Sequence, residues 1–221
     1  MLDVRTVGLA PDYVPYTDAW ALQREVHAGV VQGERPDTLL LLEHEPVFTA
    51  GARTTPDERP TDGTPVVDVD RGGKITWHGP GQLVGYPIVR LTEPVDVVAH
   101  VRRIEGILID LLREVGVDGY RVEGRSGVWV RRMLSEDKIA AIGVRVQRGV
   151  TMHGFALNCD NSLLGFSQII PCGIADAGVT TISEVLGRDV SPADLADAVA
   201  EAFRDSFATS AVPAGAAAVA V

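Results

Sequence analysis

The chain has 221 residues, 46% of them apolar, and a formal net charge of −10. That length suits one domain, or one domain with a small appendage, and lets it bury a sizeable core. The charge argues against general nucleic-acid binding, which needs basic patches against phosphates. No apolar run approaches the roughly 18 residues a membrane-spanning helix needs, and Met1 to Arg5 show no basic region leading into an apolar one. No membrane segment or signal peptide is expected, and the expected compartment is the cytoplasm.

The first expected element is a helix from Thr17 as N-cap, with Leu22, Val26 and Val30 on one face and Gly33 at its end. Four leucines between Asp37 and Glu43 predict a strand buried on both faces, and Val47 to Thr49 begins another. Arg53 to Pro65 is rich in Pro, Thr, Asp and Gly and reads as a long loop, of the kind that covers something in compact domains. Short strands follow at Val66–Val69, Lys74–Trp77 and Leu83–Val89.

The clearest helix carries Val97, Val101, Ile104, Leu108, Leu111 and Val115 at three- and four-residue spacing, with Gly116 at its C-terminus. Val128–Val130, Lys138–Val146 and Thr151–Leu157 are expected strands, the last two joined by a hairpin at Arg148-Gly149. Ser191-Pro192-Ala193-Asp194 opens a final helix, with Leu195, Val199, Phe203 and Phe207 on its apolar face. There is no regular βαβ alternation. The expected class is α+β, with a mixed or antiparallel sheet flanked by helices. Residues 1–185 form the expected catalytic domain and 186–221 a small helical segment with an apolar tail.

Three segments carry chemistry. The run Arg71-Gly72-Gly73-Lys74-Ile75-Thr76-Trp77-His78-Gly79-Pro80-Gly81-Gln82 combines glycines that let backbone approach a ligand with polar side chains around it. It lacks the Walker spacing of a phosphate loop. The bland alternative is a glycine-rich turn with exposed charges. Cys172, between Pro171 and Gly173, is expected on a loop, where a neighbour that favours the thiolate makes a thiol nucleophilic. By itself such a cysteine is more often inert, and Cys159 is the ordinary comparison. Lys74 and Lys138 are the only lysines among 20 basic residues, and Lys138 opens the apolar run Ile139-Ala140-Ala141-Ile142-Gly143. A lysine there is usually a solvated strand end, but a partly dry amine can serve as a base.

Together these segments resemble the lipoyl(octanoyl) transferase family. The resemblance runs through Leu41-Leu42-Glu43-His44, Arg71 to Pro87, Lys138 to Gly143, His153-Gly154-Phe155-Ala156-Leu157-Asn158, and Pro171-Cys172-Gly173-Ile174 leading into Gly178-Val179-Thr180. Several motifs in the right order are more specific than any one. The departures are Glu45, where a small residue or proline is usual, and Thr181-Ile182 for a more usual Ser-Leu.

The resemblance implies a fold shared with biotin and lipoate protein ligases, and a dyad of Cys172, the acyl-thioester nucleophile, with Lys138 beside it. It implies acyl-binding segments at Arg71–His78, Ala141–Gly143 and Gly154–Ala156. It further implies transfer of an octanoyl group from acyl-carrier protein to a lysine of lipoyl domains, in 2-oxoacid dehydrogenase complexes and the glycine cleavage H protein, by a monomer needing no cofactor or metal. His78 and His153 are expected to hydrogen-bond around the pocket. Arg131, Arg132, Arg145 and Arg148 are the expected basic patch for acidic partners. Competing readings are an ATP-dependent lipoate–protein ligase on the same fold, a non-catalytic binding module, and a cysteine hydrolase.

Overall fold

The computed structural model describes residues 1–60, 64–132, 135–169 and 177–208. Its first long helix, α1 (Tyr16–Gln32), follows Pro15 and ends at Gly33, whose left-handed φ of 75° a glycine adopts without strain. Thr17, expected as the N-cap, lies inside the first turn; Pro15 already sets the entry to the helix, and no side chain caps it. Strand β1 (Asp3–Gly8) precedes α1, and β2 (Thr38–Leu42) follows and pairs with β1 in parallel, so α1 is the crossover of a βαβ unit. No position of β1 is fully buried, so it carries no apolar alternation to betray it.

Next come β3 (Val47–Ala50), β4 (Val66–Asp68) and β5 (Thr76–His78), which form a small sheet in the order β4-β3-β5. The main sheet takes up β6 (Gln82–Ile88), β7 (Gly119–Val122), β8 (Arg125–Arg132), β9 (Ser135–Gln147), β10 (Val150–Asn158) and β11 (Gly178–Val179). Its order is β1-β2-β6-β10-β9-β8-β7, with β11 beside β9. Parallel pairs (β1–β2, β9–β11) and antiparallel pairs coexist, so the sheet is mixed and the class is α+β. The expected β9–β10 hairpin turns at Arg148 (φ 52°) and Gly149 (φ 73°), two positive φ values in a row.

Helices cover both faces. The leucines of β2 alternate, Leu39 and Leu41 facing α2 (Val97–Glu114) and α4 (Pro192–Ala208), Leu40 and Leu42 facing α1, all with no exposed surface. Burying each contributes about 1.5–3 kcal/mol. Asp96 caps α2 by accepting from Ala99 N at 2.8 Å, and at the start of α4 the Asp194 carboxylate accepts from Ser191 N and Oγ. Leu195, Val199 and Phe203 of α4 share one core with Leu39, Leu41 and Phe155, and the Phe203 ring stacks on Phe155 at 5.3 Å. The helical segment expected from residue 186 is therefore built into the same body as far as Ala208. The short α3 (Ile182–Leu186) joins it to β11. Among the described residues no helix is long and apolar enough to cross a membrane.

Candidate active site

In a regular strand, residues three apart face opposite sides. Lys138 and Ala141 of β9 nevertheless line the same cavity. A bulge explains it: Val128 of β8 pairs with Ala140 and Trp129 with Lys138, so Ile139 has no partner on β8. Ile139 and Ala140 both enter the core on the α2/α4 face, and Lys138 and Ala141 both turn to the other. Lys138 is only 7% exposed; its Nζ sits 4.7 Å from the centroid of the Trp129 ring, and no carboxylate among the described residues pairs with it. Beyond Ala140 the β8–β9 register pairing ends, and farther along β9 the glycine loop approaches it, Gly72 N donating to Val144 O at 3.1 Å.

That loop is held from within. The Arg71 guanidinium donates to Gly72 O, Lys74 O, Thr49 O and Thr49 Oγ1 at 2.8–3.1 Å, so a buried cation ties the loop to β3. Glycine lets these surfaces meet closely: a Cβ on Gly143 would stand 3.0 Å from Gly72 O and crowd the loop. After the loop, the chain entering β5 and β5 itself alternate. Lys74, Thr76 and His78 face the cavity; Ile75 and Trp77 pack with Phe48 and Phe166 in a separate small core. Lys74 is paired with Glu58.

A chain of buried hydrogen bonds then links the separated motifs. His78 Nδ1 donates to Gln82 Oε1 (2.7 Å), Gln82 Nε2 to Asn158 Oδ1 (2.9 Å), Asn158 Nδ2 to Thr180 O (3.0 Å), and Thr180 N to Lys138 O (3.1 Å). Glu43 anchors the other end of the glycine motif, accepting from Ala10 N (2.9 Å) and Gly81 N (2.6 Å).

Three histidines stand in this region, all neutral. Burial draws His44 down to about 4 and His78 to about 3; His153 falls to about 3 through burial and the charges of Arg71, Arg145 and Arg24. His44 Nδ1 donates to Val14 O, which leaves Nε2 to accept the Tyr86 hydroxyl at 2.7 Å. His153, at a positive φ of 58°, donates from Nε2 to Asp70 at 2.8 Å, and Asp70 also pairs with Arg145. Burial raises Tyr16 to about 12 and Tyr86 well above its usual value, so both phenols stay protonated.

One cavity of about 210 Å³ brings together Lys138, Arg71, Gly72, Gly73, Lys74, Thr76, His78, Ala141, Ile142, Gly143, Gly154, Phe155 and Ala156. Ile75 and Trp77 do not reach it. Cys172 lies outside the described residues. Cys159 is fully buried, its thiol pushed up by burial and donating to Leu157 O. The cavity also takes in Tyr16, Arg53, Val84, Tyr86, Gly124, Arg125 and Ser126, none singled out from sequence. Alternation along β6 from Gln82 would have found Val84 and Tyr86; Tyr16 carries no comparable signal. Of the four arginines expected as a patch, Arg145 is tied to Asp70, Arg131 lies over the Tyr120 ring, and Arg132 contacts Thr180 Oγ1 at 3.4 Å.

Residues 15–204 match the family model of the lipoyl protein ligase A/B catalytic domain. A curated octanoyltransferase of Clavibacter sepedonicus is 62% identical over 200 residues, covering 88% of this chain and 86% of its own. One of Leifsonia xyli subsp. xyli is 60% identical over 215 residues, covering 96% of each. Among solved structures, a bipartite lipoate protein ligase of Thermoplasma acidophilum superposes with a TM-score of 0.71 at 16% identity, covering 94% of this chain and 85% of that one, which shows a shared fold.

Proposed function

The chain belongs to the lipoyl protein ligase A/B catalytic-domain family and is an acyltransferase of the octanoyltransferase type; we propose that it moves an octanoyl group from acyl-carrier protein, through a thioester on Cys172, to a lysine of a lipoyl domain. Cys172 attacks the thioester carbonyl and the carrier thiol leaves, giving an acyl-enzyme. The acceptor lysine attacks next, Cys172 departs as thiolate, and Lys138 takes up the proton released from the acceptor amine. Thioester to thioester to amide runs downhill, so no ATP is consumed. The acyl chain lies along Ala141, Gly143, Gly154 and Ala156, where small side chains leave room for it.

The observation that carries this reading is the pairing of β11 with β9. Val179 is the register partner of Lys138, and Thr180 N donates to Lys138 O. Ile169 and Val179, on either side of the Cys172 segment, both pack on the small core of Phe48, Ile75, Trp77 and Phe166. Chain leading from Cys172 is thus held beside the strand that bears the lysine, and chain leading to it packs on the same small core as Val179, which supports a Cys172–Lys138 dyad. Acceptors are lipoyl domains of 2-oxoacid dehydrogenase complexes and the glycine cleavage H protein, and the enzyme acts as a cytoplasmic monomer.

The test is transfer to an isolated lipoyl domain without ATP. The wild-type chain should octanoylate it from octanoyl-carrier protein, and Cys172→Ser should not. Undiminished activity in Cys172→Ser that requires ATP would instead establish a ligase on the same fold.

A further inference from the structure

Gly127 of β8, next to the bulge that turns Lys138 into the cavity, donates its amide to a carboxylate on the far face of the sheet. Glu105 of α2 has no exposed surface, although its neighbours there are Ile104 and Leu108. Its Oε2 accepts from Arg102 Nη1 (2.7 Å) and Arg121 Nε (3.0 Å); its Oε1 accepts from Gly127 N at 3.0 Å. Glu105 is buried while both of its arginines reach solvent, and a carboxylate sunk this way is seldom kept for stability alone, since apolar packing often does as well. Here it accepts one hydrogen bond from a strand amide just ahead of the bulge.

Gly127 is itself constrained. Its φ of 107° is one that side-chain-bearing residues avoid, and a Cβ there would overlap Ala140 O and stand 3.4 Å from Lys138 Cε. The bare α-carbon of Gly127 is therefore the wall along which the Lys138 stem runs. The three residues before it, Gly124, Arg125 and Ser126, line the cavity. A shift of Gly127 moves that wall and the lysine together.

We propose that Glu105 is a positioning residue for the acyl transfer: through the Gly127 amide it seats the Lys138 side chain. This rests on the reading of Lys138 as the base, but its structural half can be read without turnover. The chain has two lysines, and Lys74 is held by Glu58 on a different element, so it serves as an internal standard. Limited acetylation with acetic anhydride, followed by peptide mass spectrometry, gives the ratio of Lys138 to Lys74 modification.

The variants are Glu105→Leu, which removes the acceptor, Glu105→Gln, which keeps a carbonyl oxygen for Gly127 N, and Gly127→Ala, which forces the wall apart. Glu105→Leu and Gly127→Ala should change the labelling ratio several-fold. They should lower kcat by about 10- to 100-fold, the cost of misplacing a reacting group by about 1 Å, at unchanged KM for octanoyl-carrier protein. Glu105→Gln should restore both readouts toward wild type. Should Glu105→Leu not fold, Gly127→Ala and Glu105→Gln carry the comparison. A wild-type labelling ratio in folded Glu105→Leu or Gly127→Ala overturns the proposal, as does Glu105→Gln failing as badly as Glu105→Leu. If Lys138→Met retained full turnover while the labelling ratio still moved, the base reading would fall and the seating of Lys138 by Glu105 would stand.

Discussion

Lys138 and Ala141 stand three residues apart on one strand and line the same cavity, because the bulge at Ile139 lies between them. The lysine joins a wall of small residues that regular alternation would have set on the opposite face. Its stem runs against Gly127, and Trp129 lies beside its amine.

Replacing the lysine tests its chemical part. Lys138→Met should lower kcat by about 10²- to 10⁴-fold, the range for losing a positioned acid–base group. Because Lys138 makes no ion pair or hydrogen bond from its amine among the described residues, the thermal midpoint should change little. Turnover within a few-fold of wild type, measured as octanoylated lipoyl domain, would remove it from the mechanism.

The Asn158 side chain joins Gln82 to Thr180 and so connects β5 and β6 to the strand that follows the Cys172 segment. Asn158→Leu leaves Thr180 O without its side-chain donor in a dry place, and Gln82 Nε2 with only Trp77 O at 3.4 Å. The expected loss is about 1–3 kcal/mol for the orphaned carbonyl, read from urea unfolding. Activity should fall further than the folded fraction, since β11 is freed from its place beside Lys138. Equal falls in the two would mean that Asn158 is structural alone.

The histidines set a pH dependence of stability. Burial holds His44 and His100 at about 4 and His78 and His153 at about 3. In the unfolded chain each titrates near ~6.5. Below that value the unfolded state binds protons the folded state refuses. The stabilising contribution is complete above about pH 6.5 and is lost as pH falls, by up to about 1.4 kcal/mol per unit for each histidine. The urea midpoint should be level from about pH 8 to 7 and clearly lower at about pH 5.5. An unchanged midpoint at the acidic end would show that these rings take up protons in the folded state.

The long periodic elements were legible because their signals are local. The leucines of β2, the face of α2 and the Arg148-Gly149 turn each state their own structure. The edge strand β1 was not, since it buries no residue fully. Within the glycine motif, recognising a strand at Lys74–Trp77 already implies alternation, and alternation separates Thr76 and His78 from Ile75 and Trp77. The bulge is different. Nothing in Lys138-Ile139-Ala140-Ala141 announces it, because it arises from how β8 pairs with β9, from Gly127 and from Glu105 on another element. The same holds for Gln82, Asn158 and Thr180, whose hydrogen bonds join positions up to 76 residues apart.

The most direct measurement is intact mass spectrometry of the protein after mixing with octanoyl-carrier protein. A single hydroxylamine-labile octanoyl adduct should appear on Cys172, be absent from buried Cys159, and disappear when lipoyl domain is added, with octanoyl gained on the acceptor lysine. An adduct that never forms while the lipoyl domain is still octanoylated, or one that persists when the acceptor is supplied, would contradict the thioester route.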